Sequence, residues 1–199
     1  MKADTFPLGL RLEGKACLVV GSGDEAELRT NHLVLAGARV RLISERPTPR
    51  LVELESSGKI AVVRRSFEEP DLDGAWLVVQ TDRDASLAER IGRAAEARQI
   101  FFCAIDQPTY STFSHLALAR SGPVTVAIST NGVAPSLARR LREELERVLT
   151  AAGVGEFAKR LAVLRAKTPP EARRETLGRA VSNVRFEGTI ALPDDDADE

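Results

Sequence analysis

The chain is predicted to be an α/β protein: a doubly wound parallel sheet first, then a small α+β region, then a helical end. Two observations predict this. Short apolar runs dense in β-branched residues alternate with segments of helical period through roughly the first hundred residues. The first of these runs also passes through two closely spaced glycines straight into a helix. The 199 residues, 43% apolar and 29% charged, are enough to bury one core, or one core with a small appendage.

Five strands are readable in order: Ala16–Ser22, Arg39–Ser44, Ile60–Arg64, Ala75–Gln80 and Ile100–Ile105. Between them, Asp24–Ala36, Pro49–Ser57 and Ala85–Arg98 have helical spacing. The first two stop against Gly37 and Gly58, which suit the residue just past a helix end. This first domain is expected over residues 1–110. A central region, 111–150, follows with a polar stretch Thr109–Ser114, an apolar segment His115–Ala119 and a turn at Ser121-Gly122-Pro123. After them come a strand Val124–Ser129 and a helix from about Ala134 to Leu149. That helix carries Pro135 in its first turn and an apolar stripe at Leu137, Leu141, Leu145 and Val148. Beyond Gly153 and Gly155 a helical region, 151–190, contains Glu156–Ala166 and Pro170–Val181. Residues 191–199 form an acidic tail in which no structure is expected.

Composition excludes several classes. No stretch nears the roughly 18 apolar residues of a membrane helix, and Met1–Lys15 lacks the features of a secretory signal, so a cytoplasmic location is expected. Cys17 and Cys103 each sit inside an apolar run and read as reduced core residues. With only two histidines besides, a structural zinc site is not expected. The net charge of −1 is uneven: removing the five acidic groups of Asp194–Glu199 leaves the remainder at +4, most of it supplied by arginine. That excess is too small, and too poor in interleaved aromatics, to predict nucleic-acid binding. Guanidinium does pair bidentately with carboxylates, so a ligand rich in carboxylates would suit it, although codon bias explains it equally well.

The sharpest motif is Gly21-Ser22-Gly23-Asp24-Glu25-Ala26, a GxGxxA pattern between a strand and a helix. Gly21 permits a tight turn, Gly23 lets backbone approach a pyrophosphate, and Ala26 lets the helix pack closely on a Rossmann-like sheet. The alternative is the same turn without a ligand. A ribose-binding acid is expected about twenty residues on, and Glu45 stands there after Ser44, with Arg46 beside it leaving room for a 2′-phosphate. Thr81 and Asp82 end the fourth strand and would line the same crevice. Asp106 ends the fifth, where a carboxylate can accept a proton. Its alternative is a turn-capping aspartate before Pro108. Ser129-Thr130-Asn131-Gly132 precede a helix N-terminus and can seat ligand carboxylates or simply cap the helix. His115 is either a proton donor, a metal ligand or an ordinary packed histidine.

Taken together, FPLGLRLEGKACLVVGSGDEAELRTNHLVLAGARVRLIS (Phe6–Ser44), IDQP (Ile105–Pro108) and GPVTVAISTNGVAPSLARRLREELE (Gly122–Glu146) resemble the precorrin-2 dehydrogenase family. Many members of that family are also sirohydrochlorin ferrochelatases, and it forms the N-terminal module of siroheme synthase. The resemblance implies NAD-dependent oxidation of precorrin-2 to sirohydrochlorin in a homodimer whose central region builds the subunit interface. Insertion of Fe²⁺ or Co²⁺ would be a further activity. It also implies that Asp106 is the catalytic aspartate. Asp24 and Glu25, like Ser44, Glu45 and Arg46, would contact the cofactor, and Thr130, within Ser129–Gly132, would belong with His115 to the tetrapyrrole site. Departures from the family pattern include Gly21-Ser22-Gly23 in place of three glycines. Val79-Gln80-Thr81-Asp82-Arg83 replaces AATDD, and Cys103 stands where asparagine is usual. A non-catalytic carrier or sensor of tetrapyrrole or nucleotide on the same scaffold is the alternative.

Overall fold

The computed structural model describes residues 5–192, so the acidic residues Asp194–Glu199 lie outside it. The chain divides into two compact units, Met1–His115 and Leu116–Glu199.

The first unit is the expected Rossmann-like sheet. Its strands are β1 (Ala16–Val20), β2 (Arg39–Ile43), β3 (Ile60–Val63), β4 (Leu77–Gln80) and β5 (Phe101–Ala104). They pair in parallel in the order β3-β2-β1-β4-β5, with Val20 level with Ile43 on one side and Gln80 on the other. Three helices cover the faces: α1 (Gly23–Leu35), α2 (Pro49–Ser56) and α3 (Ala85–Ala97). Alternation along β1 explains both layers. Cys17 and Val19 point into one core with Ala26 and Leu33 of α1 and Leu51 of α2, while Leu18 and Val20 join Ala88 and Ile91 of α3 with Phe102 in the other. Caps fix the helix starts. Thr48 accepts from the Leu51 amide at 3.4 Å and Asp84 from the Leu87 amide at 3.0 Å. The crossover from β3 to β4 contains a 3₁₀ turn, Glu69–Leu72, which the sequence reading does not contain. Both cysteines are buried free thiols, and burial pushes Cys17 up to about 11.

The second unit contains a hairpin of β6 (Ala117–Ser121) and β7 (Val124–Ile128), then α4 (Pro135–Ala151), α5 (Val154–Lys167), a 3₁₀ turn at Pro170–Ala172, and α6 (Arg173–Val181). Two details correct the sequence reading. The segment taken as merely apolar is a strand, and α5 begins before Gly155 instead of after it. Gly155 is in that helix because its missing side chain lets the backbone lie against the hairpin turn: a Cβ there would stand 2.8 Å from the Ser121 carbonyl carbon. Among the described residues, no helix is long and apolar enough to cross a membrane.

Candidate functional site

The carboxyl ends of β1, β2, β3 and β4 open into a cleft of about 610 Å³, where the direction of chain crossing reverses about β1. Gly21 turns the chain out of β1 with φ +129°. A Cβ there would overlap the Thr81 hydroxyl and stand 2.8 Å from Asp82 Oδ1, so the position admits only glycine. The Ser22 amide donates to Asp82 Oδ1 at 3.1 Å, and its hydroxyl donates to the Arg46 carbonyl at 2.5 Å. One residue thereby ties the glycine turn to the loops after β4 and β2. Because that hydroxyl is committed, Ser22 gives α1 no side-chain cap, and the first-turn amides of α1 remain open to an anion.

The far wall is built after β2 and β3. Glu45 Oε1 accepts from the Ser66 hydroxyl at 2.5 Å, leaving its second oxygen for a ligand. Ser44 is buried, lines the cleft, and its hydroxyl has no hydrogen-bond partner among the described residues. An unsatisfied hydroxyl beside an acidic side chain and an uncapped helix start fits the sugar and phosphate of a dinucleotide.

Of the residues expected to bind cofactor, Gly21, Ser22, Ser44, Glu45, Arg46 and Asp82 meet on this cleft. Gly23 starts α1 at φ +77° with open space where its Cβ would be, but does not line the cleft. Asp24 is exposed in the same turn, Glu25 is ion-paired with Arg29, and Thr81 is buried with its hydroxyl on the Val20 carbonyl. Arg65, Ser66, Phe67, Asp84 and Arg90 also line the cleft and were not singled out from sequence. The signal for the first three was their place just after the third strand, which usually lies beside the second in this topology.

Asp106 follows β5 in a left-handed conformation, φ +59°, unusual for a residue with a side chain. Its Oδ2 accepts from Arg83 Nη2 at 2.6 Å, and both side chains are largely exposed. Ser111, whose hydroxyl donates to the Gln107 carbonyl at 3.2 Å, and the Gln107 amide, which donates to the Ala104 carbonyl at 3.1 Å, hold the loop. Nearby, burial raises the Cys103 thiol above its ordinary range, so it stays protonated. His115 stacks edge-on against Phe113 at 5.3 Å. The residue keeps an exposed side. Even so, loss of solvation, with Arg29 and His32 close by, pushes the imidazole below the usual histidine range.

In the second unit, Ser129 Oγ accepts from the Asn131 amide at 3.0 Å and Thr130 Oγ1 from the Ala134 amide at 3.3 Å, just ahead of α4. Asn131 and Gly132 both take positive φ, 51° and 78°. The four residues therefore form one exposed, internally bonded turn at a helix start.

Residues 8–117 match the family model described as "Putative NAD(P)-binding", and residues 121–147 match that described as "Sirohaem biosynthesis protein central". The chain belongs to this putative NAD(P)-binding family. The first match spans the whole cleft and Asp106, and the second spans Ser129–Gly132. Curated family relatives include the siroheme synthase of Shigella boydii serotype 18 (strain CDC 3083-94 / BS512), 33% identical over 98% of this chain and 43% of its own length. The siroheme synthase of Escherichia coli O139:H28 (strain E24377A / ETEC) is 35% identical over 82% of this chain and 36% of its own. The chain thus spans less than half the length of the relatives it matches. A solved structure named "SirC, precorrin-2 dehydrogenase" shares the fold, with a TM-score of 0.76 at 21% identity over 90% of each chain.

Proposed function

We propose that this chain oxidises precorrin-2 to sirohydrochlorin with NAD⁺. The observation that carries the reading is the cleft itself, where Gly21, the orphaned Ser44 hydroxyl and the half-free Glu45 carboxylate converge at the strand ends. Likeness to relatives named siroheme synthase supports the substrate class. NAD⁺ bound there supplies the hydride acceptor. Glu45 accepts hydrogen bonds from ribose hydroxyls and repels a 2′-phosphate, which is why NAD⁺ is chosen over NADP⁺. The α1 start takes the pyrophosphate. Asp106 receives the proton that leaves the substrate as the hydride departs. Ser129, Thr130, Asn131 and Gly132 take substrate carboxylates, and His115, neutral, serves as a hydrogen-bonding group toward the substrate.

Two further parts of the reading concern assembly and metal. The stripe on α4 leaves Leu137 and Val148 more than a third exposed, which supports a homodimer through the region 111–150. Sedimentation should then give twice 21.6 kDa. Fe²⁺ or Co²⁺ would enter sirohydrochlorin as a substrate in a second activity of the same site.

A carrier or sensor without turnover is the second reading, and the Arg83–Asp106 ion pair favours it by occupying the only carboxylate at the end of β5. An anaerobic assay with fresh precorrin-2 and NAD⁺ decides. NADH and sirohydrochlorin should rise together, and Asp106→Asn should lower kcat by about 10²–10⁴, the usual weight of a general base. Binding of sirohydrochlorin by folded protein with no NADH would leave the carrier reading standing alone.

A further inference from the structure

We propose that Asp71, which does not line the cleft, is a positioning residue that makes the cleft prefer a ribose diol over a ribose phosphate. The inference rests on the NAD⁺ reading above and assigns its preference to a particular relay. Asp71 is 3% exposed, in the 3₁₀ turn between β3 and β4. Its two oxygens take Arg65 in a fork, Nη1 to Oδ2 at 2.8 Å and Nη2 to Oδ1 at 2.8 Å. The carboxylate also accepts the Glu68 amide at 3.0 Å, and the Asp71 carbonyl accepts from Arg41 Nη2 at 2.5 Å. Arg65 is therefore held from behind, while its other side faces the cleft. Its Nη1 also donates to the Ser66 carbonyl at 2.9 Å, and the Ser66 hydroxyl in turn donates to Glu45 Oε1 at 2.5 Å. Asp71, Arg65, Ser66 and Glu45 form one line of contacts from the loop interior to the ribose end of the cleft.

Two consequences follow from that line. The bidentate partner offsets the charge of Arg65 and engages donors on both its terminal nitrogens, so a guanidinium on the cleft wall pulls less on a phosphate. Of the other two arginines on the cleft, Arg90 is likewise engaged, donating to the Phe67 carbonyl at 3.1 Å and lying over its ring at 5.6 Å, while Arg46 stands next to Glu45. The relay also orients Ser66, and through it the Glu45 oxygen that stays open to a diol. Without the Asp71 charge, Arg65 keeps only the longer ion pair with Glu68, 3.9 Å, and becomes a loosely held cation at the edge of the cleft. It then attracts a phosphate or pairs with Glu45, and either result weakens discrimination.

The test is calorimetric titration of the full chain with NAD⁺ and with NADP⁺. The native chain should bind NAD⁺ more tightly. Asp71→Asn should reduce that ratio about tenfold, the size of one charge-assisted contact, mainly by gaining NADP⁺ affinity. The double variant Arg65→Gln/Asp71→Asn should lose the NADP⁺ gain, which a merely structural role for Asp71 does not predict. Ser66→Ala, at an exposed position that tolerates truncation, should weaken NAD⁺ without strengthening NADP⁺. It carries the test should Asp71→Asn not fold. An unchanged ratio in folded Asp71→Asn, an NADP⁺ gain that persists in the double variant, or native NAD⁺ affinity in Ser66→Ala overturns the inference. A native chain that binds NADP⁺ as tightly as NAD⁺ refutes the NAD⁺ reading itself.

Discussion

Arg83 and Asp106 are 23 residues apart and meet only because β4 and β5 are neighbours in the sheet. The pair is 80% and 58% exposed, so its contribution to stability is small, and Arg83→Ala should shift unfolding by less than about 0.5 kcal/mol. Its effect on catalysis should be larger. The loop bearing Asp106 is held by Gln107 and Ser111, so on the proposed reaction the carboxylate would keep its place were Arg83 to leave it for a carboxylate of the substrate. Arg83→Ala should accordingly raise KM for precorrin-2 about fivefold to tenfold, the loss of one charge-assisted anchor, with kcat within about twofold. A fall in kcat at constant KM would instead make Arg83 an orienting group for Asp106. At this scale the sequence disclosed the residues that end a strand, because the position of a strand end follows from local pattern. Glu45 and Asp82, which meet on the cleft, were placed in that way, and Asp106 was placed at the end of β5. Arg65, Ser66 and Arg90 were not, because which strand ends share a wall depends on sheet order, which no local pattern carries.

At the scale of elements, the five parallel strands were legible because runs such as Ala-Cys-Leu-Val-Val have nowhere to go but a buried sheet. β6, Ala-Leu-Ala-Arg-Ser, has no β-branched residue, and pairing with β7 across the turn after Ser121 is what makes it a strand. Gly155 misled for the opposite reason. A glycine after Gly153 reads as continued interruption, whereas here it lets α5 press on the hairpin, its amide 3.2 Å from the Ser121 hydroxyl. That hydroxyl also reaches the Leu149 carbonyl of α4 at 3.4 Å, so one contact joins three elements. Gly155→Ala gains helix propensity but places a methyl against backbone that cannot yield. The second effect should win, destabilising the chain by about 1–3 kcal/mol in urea unfolding. An unchanged or raised midpoint would mean that the hairpin turn moves to accommodate it.

For the whole molecule, the arginine-rich composition has a simpler source than a polyanionic ligand. Along α4 alone, Arg139, Arg140, Arg142 and Arg147 pair with Glu143, Glu144 and Glu146, and elsewhere Arg64 pairs with Glu55 and Arg98 with Asp73. Part of the positive charge is thus answered by carboxylates of the chain itself, along α4 within a single turn of helix. The division into two compact units has its own consequence, because every residue of the nucleotide cleft lies in the first. A ligand stabilises what must be folded to bind it, by about 2.7 kcal/mol at a hundred times its Kd. With saturating NAD⁺, hydrogen exchange should therefore slow in β1, β2 and β4, whose ends form the cleft, while α5 and α6 exchange at their unliganded rates. Equal slowing in α5 and α6 would mean that the two units unfold as one cooperative body. In that case the Gly155→Ala penalty would appear in the same transition as loss of nucleotide binding, and a single midpoint would govern both.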